Sequence, residues 1–509
     1  MSKVIMIQGT MSNAGKSLIT AGLCRIFRQD GYQVAPFKSQ NMALNSFITE
    51  DGLEIGRAQA MQAEAAGVRA TVEMNPVLLK PTSDQGSQVI VNGEVVGNMN
   101  AREYFAYKQE LFPKVQEAFE SLCENYDMIV IEGAGSPAEI NLKENDMVNM
   151  GIARMADADV LLVGDIDRGG VFAQLLGTLL LLEDEEKARV KGLIINKFRG
   201  DRSLLESGIA MLEEKAGIPV LGVIPLMDVD LEAEDSLAEK EQTCKGGVLD
   251  IVILRLPRIS NFTDFAVFER RKDIAVRYVD RVEKMGNPDM ILIPGTKNTM
   301  LDLNWMRQNG LEAAIHREAS RGTVIFGICG GYQMLGEHIE DPENAESGGG
   351  MKGMGLLPVN TVFRKEKART RICGNIGKVP GVLKCLEGLE VEGYEIHMGI
   401  TEKKPEAQTF LNICERMDQN VSLWDGACCG NIYGTYLHGF FDKDNVAEKI
   451  LCALAESKGI PFEPQNEISY QQYREKQYDH LADVLRKSMD LERIYEIMDN
   501  KDNGMISGN

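Results

Sequence analysis

At 509 residues, with 44% hydrophobic and 26% charged side chains, the chain is too long for one ordinary core and reads as a globular protein of at least two domains. Its formal charge of −21 argues against a nucleic-acid partner, whose phosphates need clustered Lys and Arg, and argues nothing against a small anion held by a few local cations. No apolar run reaches the roughly 18–20 residues that span a bilayer, so no membrane partner is expected.

The N-terminal MSKVIMIQG enters a strand-like run with no basic-then-apolar leader pattern. The ten cysteines are scattered, with no C-x-x-C pair, and read as reduced thiols. Together these features set the expectation of a cytoplasmic protein.

Short apolar runs alternate with helical stretches through the first half: Val4–Ile7, Met128–Ile131, Val160–Val163, Leu193–Ile195 and Val220–Ile224. Runs that are apolar on both faces and separated by helices are buried parallel strands of an α/β sheet. Ser17–Gln29 follows the first of them as a helix with Ile19, Leu23, Ile26 and Phe27 on one stripe.

Between that strand and that helix lies GTMSNAGKS, residues 9–17. A loop of backbone N–H groups, a helix N-terminus and a lysine can together hold a triphosphate. The strict phosphate-loop pattern has glycine where this chain has Thr10, one residue after Gly9. The strand–loop–helix context is nevertheless right, so ATP is the expected nucleotide, with Thr10, Asn13, Gly15, Lys16 and Ser17 as binding candidates. Lys16 would reach the β- and γ-phosphates and the Ser17 hydroxyl would face Mg²⁺. Glu132, ending a central strand in EGAGSPAEINL, is a second Mg²⁺ candidate, because ligands of open α/β sheets gather at the carboxyl ends of strands. Asn196, at another strand end, could read a purine edge.

The pattern yields to acidic residues and a Gly pair near 231–248, which divides the chain into a first domain over 1–235, a linker over 236–248 and a second α/β domain over 249–445. Its strands are expected at Ile251–Leu254, Met290–Ile293, Val324–Phe326 and Ile432–Leu437. A helical extension, 446–509, ends in NKDNGMISGN, expected to fray.

In the second domain Val324–Phe326 runs into GICGGYQMLG, a strand, a sharp turn and a helix. Small neighbours let substrate and backbone approach Cys329, and a helix N-terminus favours thiolate over thiol. Cys24 and Cys452 sit in apolar helical stripes and read as core. Of five histidines, His438 in GTYLHGFF is the first candidate base and His397 in GYEIHMG the second.

These motifs carry a resemblance. IQGTMSNAGKS, PFKSQNMALNS, EGAGSPAEINL and GDIDRGGVFA resemble the ATP-dependent amidoligase half of the cobyric acid synthase family, whose fold is similar to dethiobiotin synthetase. G-x-C-G-G-Y-Q with a late YLHG resembles the class I glutamine amidotransferase domain of the same family. The resemblance implies a phosphate role for Lys16, Ser17 and Lys38, Mg²⁺ on Ser17 and Glu132 with Asp51 as a further metal candidate, and adenine contact at Asn196. It places Asp146 beside the reacting carboxylate, and Lys80 is a further candidate with no role assigned. It carries the nucleophile onto Cys329, the base onto His438, and the oxyanion hole onto the N–H groups of Gly295 and Gly330. Most class I domains have Glu two residues after the histidine; here Phe440 stands there, so either another carboxylate orients His438 or the site is a dyad. Asp442 and Glu395 are near in sequence and neither is assigned.

Taken together, glutamine cleavage at Cys329 yields ammonia, and the ATP domain activates a carboxylate that needs a nitrogen nucleophile. The family implies glutamine and a corrinoid polycarboxylate as substrates, adenosylcobyrinic acid a,c-diamide amidated at its b, d, e and g side chains. The nearest alternative is the cobyrinic acid a,c-diamide synthase of the same plan. A non-amidating P-loop ATPase with a glutamine-binding domain and a free-standing glutamine hydrolase are weaker readings.

Overall fold

A computed structural model of the chain describes residues 2–83, 86–231, 246–443, 445–464 and 469–504. Most of the expected linker, 236–245, and the last residues, 505–509, lie outside them.

In the first domain the strand Lys3–Gly9 is the hub of a six-stranded parallel sheet. Met128–Glu132 and then Val34–Phe37 lie on one side; Asp159–Asp165, Val190–Phe198 and Val220–Pro225 lie on the other. Strand alternation sends side chains to two separate cores. Ile5 and Ile7 pack with Ile19, Leu23 and Ile26 of the helix Lys16–Gln29, while Met6 packs with Val115 and Phe119 of the helix Ala101–Asn125. Helices therefore cover both faces, the doubly wound arrangement expected from the apolar runs. The expected strands extend by a few residues to polar ends, so that Glu132 and Asp165 close their strands at the carboxyl edge beside the phosphate loop.

Two short features went unread. Val34–Phe37 is an edge strand, where Pro36 is tolerated. The segment after it forms the hairpin Ser46–Ile48/Glu54–Gly56 and a small sheet of Gln40–Met42, Val77–Ser83, Gly86–Val91 and Glu94–Asn100.

The second domain also departs from a purely parallel sheet. Ala275–Val279, Asp250–Leu254, Met290–Ile293, Val324–Ile328 and Ile432–Thr435 are parallel neighbours. The same sheet then continues through antiparallel strands, including Gln419–Cys429, Gln408–Arg416 and the long ribbon Val359–Ile376 paired with Glu390–Lys403. The strand expected over Ile432–Leu437 stops at Thr435, because Asp425 accepts hydrogen bonds from the Tyr436 N–H and the Thr435 hydroxyl and turns the chain. Only the isolated antiparallel bridge Tyr394–His438 follows.

The C-terminal helices divide between the domains. Val446–Ser457 buries Val446, Ile450, Leu451 and Leu454 in the second core. Tyr470–Ser488, started by a Ser469/Gln472 capping box, returns to the first domain and seats Leu481 and Leu485 against its N-terminal helix. Arg25 donates to Asp479 at 2.8 Å, and the Asp490 N–H donates to Leu221 O at 2.7 Å. The last helix runs to Gly504, so the first half of the expected frayed tail is helical. Leu481 is fully buried there, and Leu481→Ala is expected to cost about 2–5 kcal/mol of stability, measured by denaturant unfolding. Among the described residues no helix is long and apolar enough to cross a membrane.

Candidate active site

The phosphate loop folds around Lys16. Gly15 adopts φ +98°, and a Cβ at that position would lie 2.1 Å from Asn196 Nδ2, so only glycine fits. Asn196 ties the loop to a neighbouring strand by donating to Ala14 O at 2.8 Å. Lys16, a residue 7% exposed, donates from its ammonium to Met11 O at 3.1 Å and to Gly135 O at 3.2 Å, joining the loop to the EGAGS turn. Thr10 donates from its N–H to Val163 O at 2.9 Å, and its hydroxyl lies 3.2 Å from Gln174 Oε1.

Glu132 receives this loop from below. Its Oε1 accepts from the Ser17 hydroxyl at 2.8 Å and from Lys38 Nζ at 3.0 Å, and its Oε2 accepts from Gln62 Nε2 at 2.6 Å. Burial alone would raise the pKa of this carboxyl; Lys38, the Gln62 and Ser17 hydrogen bonds and Lys16 outweigh it and hold it below the ordinary range. The carboxylate is therefore charged inside the sheet.

Several buried oxygens around the loop have no protein partner: Asn13 Oδ1, Asn196 Oδ1, Gln62 Oε1 and Asn149 Oδ1. Orphaned polar atoms in a buried cradle fit a polar ligand. One hydroxyl and one carboxylate, with no cluster of three or more His, Cys, Asp or Glu among the described residues, match a Mg²⁺ ion bound mostly through phosphate oxygens.

Three residues singled out in the sequence have other surroundings. Asp51 sits exposed on the turn of the hairpin, where the adjacent Gly52 approaches Met417 of the second domain, and it is not among the groups bonded to Glu132. Asp146 accepts from the N–H groups of Val148 and Asn149 at 2.9 Å on one oxygen, and from Gly151 at 2.9 Å on the other. Its carboxylate thus caps the helix Met150–Met155, with Lys108 close enough to interact with its charge. Lys80 lies outside the phosphate site, on Glu54 at 2.9 Å.

In the second domain Cys329 ends the strand Val324–Ile328 with φ +52° and ψ −108°, a strained conformation for a residue with a Cβ, held by the helix Gly330–Leu335 behind it. A Cβ at Gly331 would lie 2.0 Å from Ile293 O, which explains the small residue after the turn. Gly295 and Gly330 flank the cysteine. Cβ atoms there would come within 3.4 Å of His438 Cε1 and 2.8 Å of Thr296 Cγ2 respectively.

His438 faces the Cys329 sulfur in a hydrogen bond, and its Nδ1 lies 2.7 Å from Asp264 Oδ2. Asp264 Oδ1 also accepts from the Gly439 N–H at 3.0 Å, which fixes the carboxylate in the ring plane's neighbourhood. Burial opposes a charged imidazole, but Asp264 and then Cys329 outweigh it and carry the His438 pKa up to about 10. Asp264 is the carboxylate that His438 meets where Phe440 leaves no acid. Phe440, where a glutamate would stand, is fully buried against Phe326, Phe410 and Phe441.

His397, the second candidate base, is stacked on Tyr436 with ring centroids 3.7 Å apart and has Nδ1 2.8 Å from Gly399 O. Burial holds its pKa down at about 4, so it is neutral. Burial also pushes the Glu395 carboxyl up to about 8, which leaves it protonated and unsuited to orient an imidazolium.

Two family models match the chain. Residues 5–238 match the CobQ/CobB/MinD/ParA nucleotide binding domain, and residues 250–446 match a CobB/CobQ-like glutamine amidotransferase domain. The chain is 56% identical to a cobyric acid synthase of Lachnoclostridium phytofermentans, covering 98% of this chain and 99% of that one. It is 55% identical to the cobyric acid synthase of Ruminiclostridium cellulolyticum, over 100% and 99% of the two chains. With that of Alkaliphilus metalliredigens the identity is 51%, over 97% and 99%.

Proposed function

We propose a function from one premise: this chain belongs to the cobyric acid synthase family. It is a carbon–nitrogen ligase of cobalamin synthesis that uses ATP and takes its nitrogen from glutamine. The acceptor is adenosylcobyrinic acid a,c-diamide, and the b, d, e and g carboxylates become amides. The observation that carries the reading is the presence on one chain of two complementary sites, Cys329–His438–Asp264 and Lys16–Ser17–Glu132.

At the first site the Cys329 thiolate attacks the side-chain carbonyl of glutamine. The N–H groups of Gly295 and Gly330 receive the developing oxyanion. His438, held as a cation by Asp264, gives its proton to the departing nitrogen, which leaves as ammonia. His438 then takes a proton from water as it opens the glutamyl thioester, and glutamate leaves.

At the second site MgATP supplies the phosphoryl group that activates the acceptor carboxylate. Lys16 and the loop N–H groups would hold phosphate oxygens, and the Ser17 hydroxyl with Glu132 would hold Mg²⁺. Lys38, bonded to Glu132, would neutralise charge as carboxylate and phosphate approach. Asn13 and Asn196 offer their orphaned oxygens to the nucleotide. Asp146 acts by fixing the backbone that follows EGAGS. Ammonia then displaces phosphate from the activated carboxyl. A cytoplasmic setting accords with the described cysteines, all of them free thiols.

The acceptor is tested by incubating the protein with MgATP, glutamine and either adenosylcobyrinic acid a,c-diamide or cobyrinic acid. Up to four successive mass changes of carboxyl to amide are expected with the diamide. Amidation of cobyrinic acid alone would overturn the assignment in favour of the a,c-diamide synthase. A finer check concerns Asn196→Ala, which removes one buried hydrogen bond from the phosphate loop. Initial rates at varied ATP should give a KM raised about tenfold, the loss of roughly 1–1.5 kcal/mol, with glutamine hydrolysis unchanged.

A further inference from the structure

The nitrogen made at Cys329 is used in the other domain, and the side chains between the two are charged, buried and shared by both. Glu54, on the hairpin of the first domain, is completely buried. Its Oε1 accepts from Lys80 Nζ at 2.9 Å, and its Oε2 accepts from Lys367 Nζ of the second domain at 2.5 Å. Gln88 Oε1 of the first domain accepts from Lys297 at 3.1 Å and lies 3.4 Å from Lys367, so one amide oxygen ties down two lysines of the other domain.

The same segments reach both reaction centres. Lys297 follows the Gly295–Thr296 strand beside Cys329 and feels the charge of that cysteine. Lys367 sits in the ribbon's irregularity between Phe363 and Ala368, and Ala368 pairs with His397 one residue from Ile396, whose carbonyl lies 3.6 Å from Cys329 Sγ. On the other side Glu54 leads directly into the helix Arg57–Ala66, whose Gln62 bonds Glu132. Burying five such polar groups costs free energy unless every one is satisfied, and apolar residues could have closed the interface more cheaply. Burial and neighbouring lysines push Lys367 down to about 7 and Lys297 down to about 8, as expected where cations crowd together.

We propose that the Glu54–Lys80–Lys367 ion pairs, together with Gln88 and Lys297, form the seal around the passage of ammonia between the domains, with Glu54 and Lys367 as its positioning residues. This rests on the reading that Cys329 releases ammonia and the first domain consumes it. The cluster serves two ends. It locks the hairpin of one domain onto the ribbon of the other, which keeps water out. Its excess of lysine over glutamate also disfavours ammonium relative to neutral ammonia, the only form that can attack a carboxyl.

The test is Lys367→Met, with Gln88→Leu as a milder variant should the first fail to fold. Glutamate and amide are both measured with glutamine, MgATP and adenosylcobyrinic acid a,c-diamide, and amide alone is measured with ammonium chloride in place of glutamine. In the unaltered protein about one glutamate should appear per amide, rising about threefold or more in the variants as ammonia escapes. The ammonium-supported rate should stay within about twofold, which a general loss of structure would not allow. Lys367→Arg should restore tight coupling. An unchanged ratio in variants that retain both activities would overturn the seal. Failure of the unaltered protein to release glutamate, or to form amide from ammonium, would instead overturn the reading beneath it.

Discussion

Cys329→Ala should abolish glutamine-dependent amide formation, by about a thousandfold or more, while the ammonium-supported reaction proceeds at the unaltered rate. The expectation follows from where the sulfur is. Cys329 is held at φ +52° at the end of its strand, with His438 on its sulfur and glycine on both sides of the reacting position. No other described cysteine has that setting. Cys24 is buried in the first core with its thiol pushed far up by desolvation, and burial raises Cys428 to about 12. Ammonia supplied from solution bypasses the glutamine site, so the phosphate site should not register the change. Alanine leaves the backbone bonds of the turn in place, Cys329 N–H to Thr435 O and Gln333 N–H to Cys329 O, so folding should persist. Glutamate release and amide yield, followed separately, check the result; loss of both reactions would show that the cysteine supports the fold rather than the chemistry.

Legibility in the sequence tracked distance along the chain. The phosphate loop, its lysine and its serine lie within nine residues between one apolar run and one amphipathic stripe, so local pattern carried them. Glu132 was readable because it ends an apolar run, and the structure brings its carboxylate to Ser17 across 115 residues. Cys329 was readable for the same reason, a strand breaking into glycines. Asp264 was not, because 174 residues separate it from His438 and no spacing rule links them. A faint signal existed: it is the lone acid among Phe262, Phe265 and Phe268, and a carboxylate surrounded by buried aromatics needs a partner. Asp146 and Asp51 show the opposite limit. Motif position said they were near the chemistry, but only backbone geometry reveals that one carboxylate caps a helix and the other sits on an exposed turn. The antiparallel ribbon escaped for a related reason. Its outer strands mix charged and apolar residues with an irregular register, and pairing partners more than a strand apart leave no local periodicity.

Asp264→Asn should reduce glutamine-dependent activity by about a hundredfold to a thousandfold, with ammonium-supported amidation intact. The asparagine keeps the shape and can still accept from Gly439 N–H, so the loss is not one of shape. In the unaltered protein Asp264 holds the buried imidazole of His438 as a cation against desolvation, up to a pKa of about 10. Without the carboxylate, burial is opposed by Cys329 alone and the folded pKa falls. The sign of the pH effect follows: the proton that His438 must give to the departing nitrogen is present below its pKa and lost above it. The alkaline limb of glutamine hydrolysis should therefore move to lower pH in Asp264→Asn, and the residual activity should be greatest toward acid. The orientation of the ring adds to this, since an amide that presents its NH2 group to Nδ1 favours the tautomer with its proton on the nitrogen facing sulfur, the wrong one for accepting a proton from it. Asp264→Glu, which restores the charge with a longer reach, should recover part of the rate and most of the pH profile. A variant in which rate and profile both stay unaltered would mean that Cys329 and His438 work as a dyad and that Asp264 is only a buried partner for a structural imidazole.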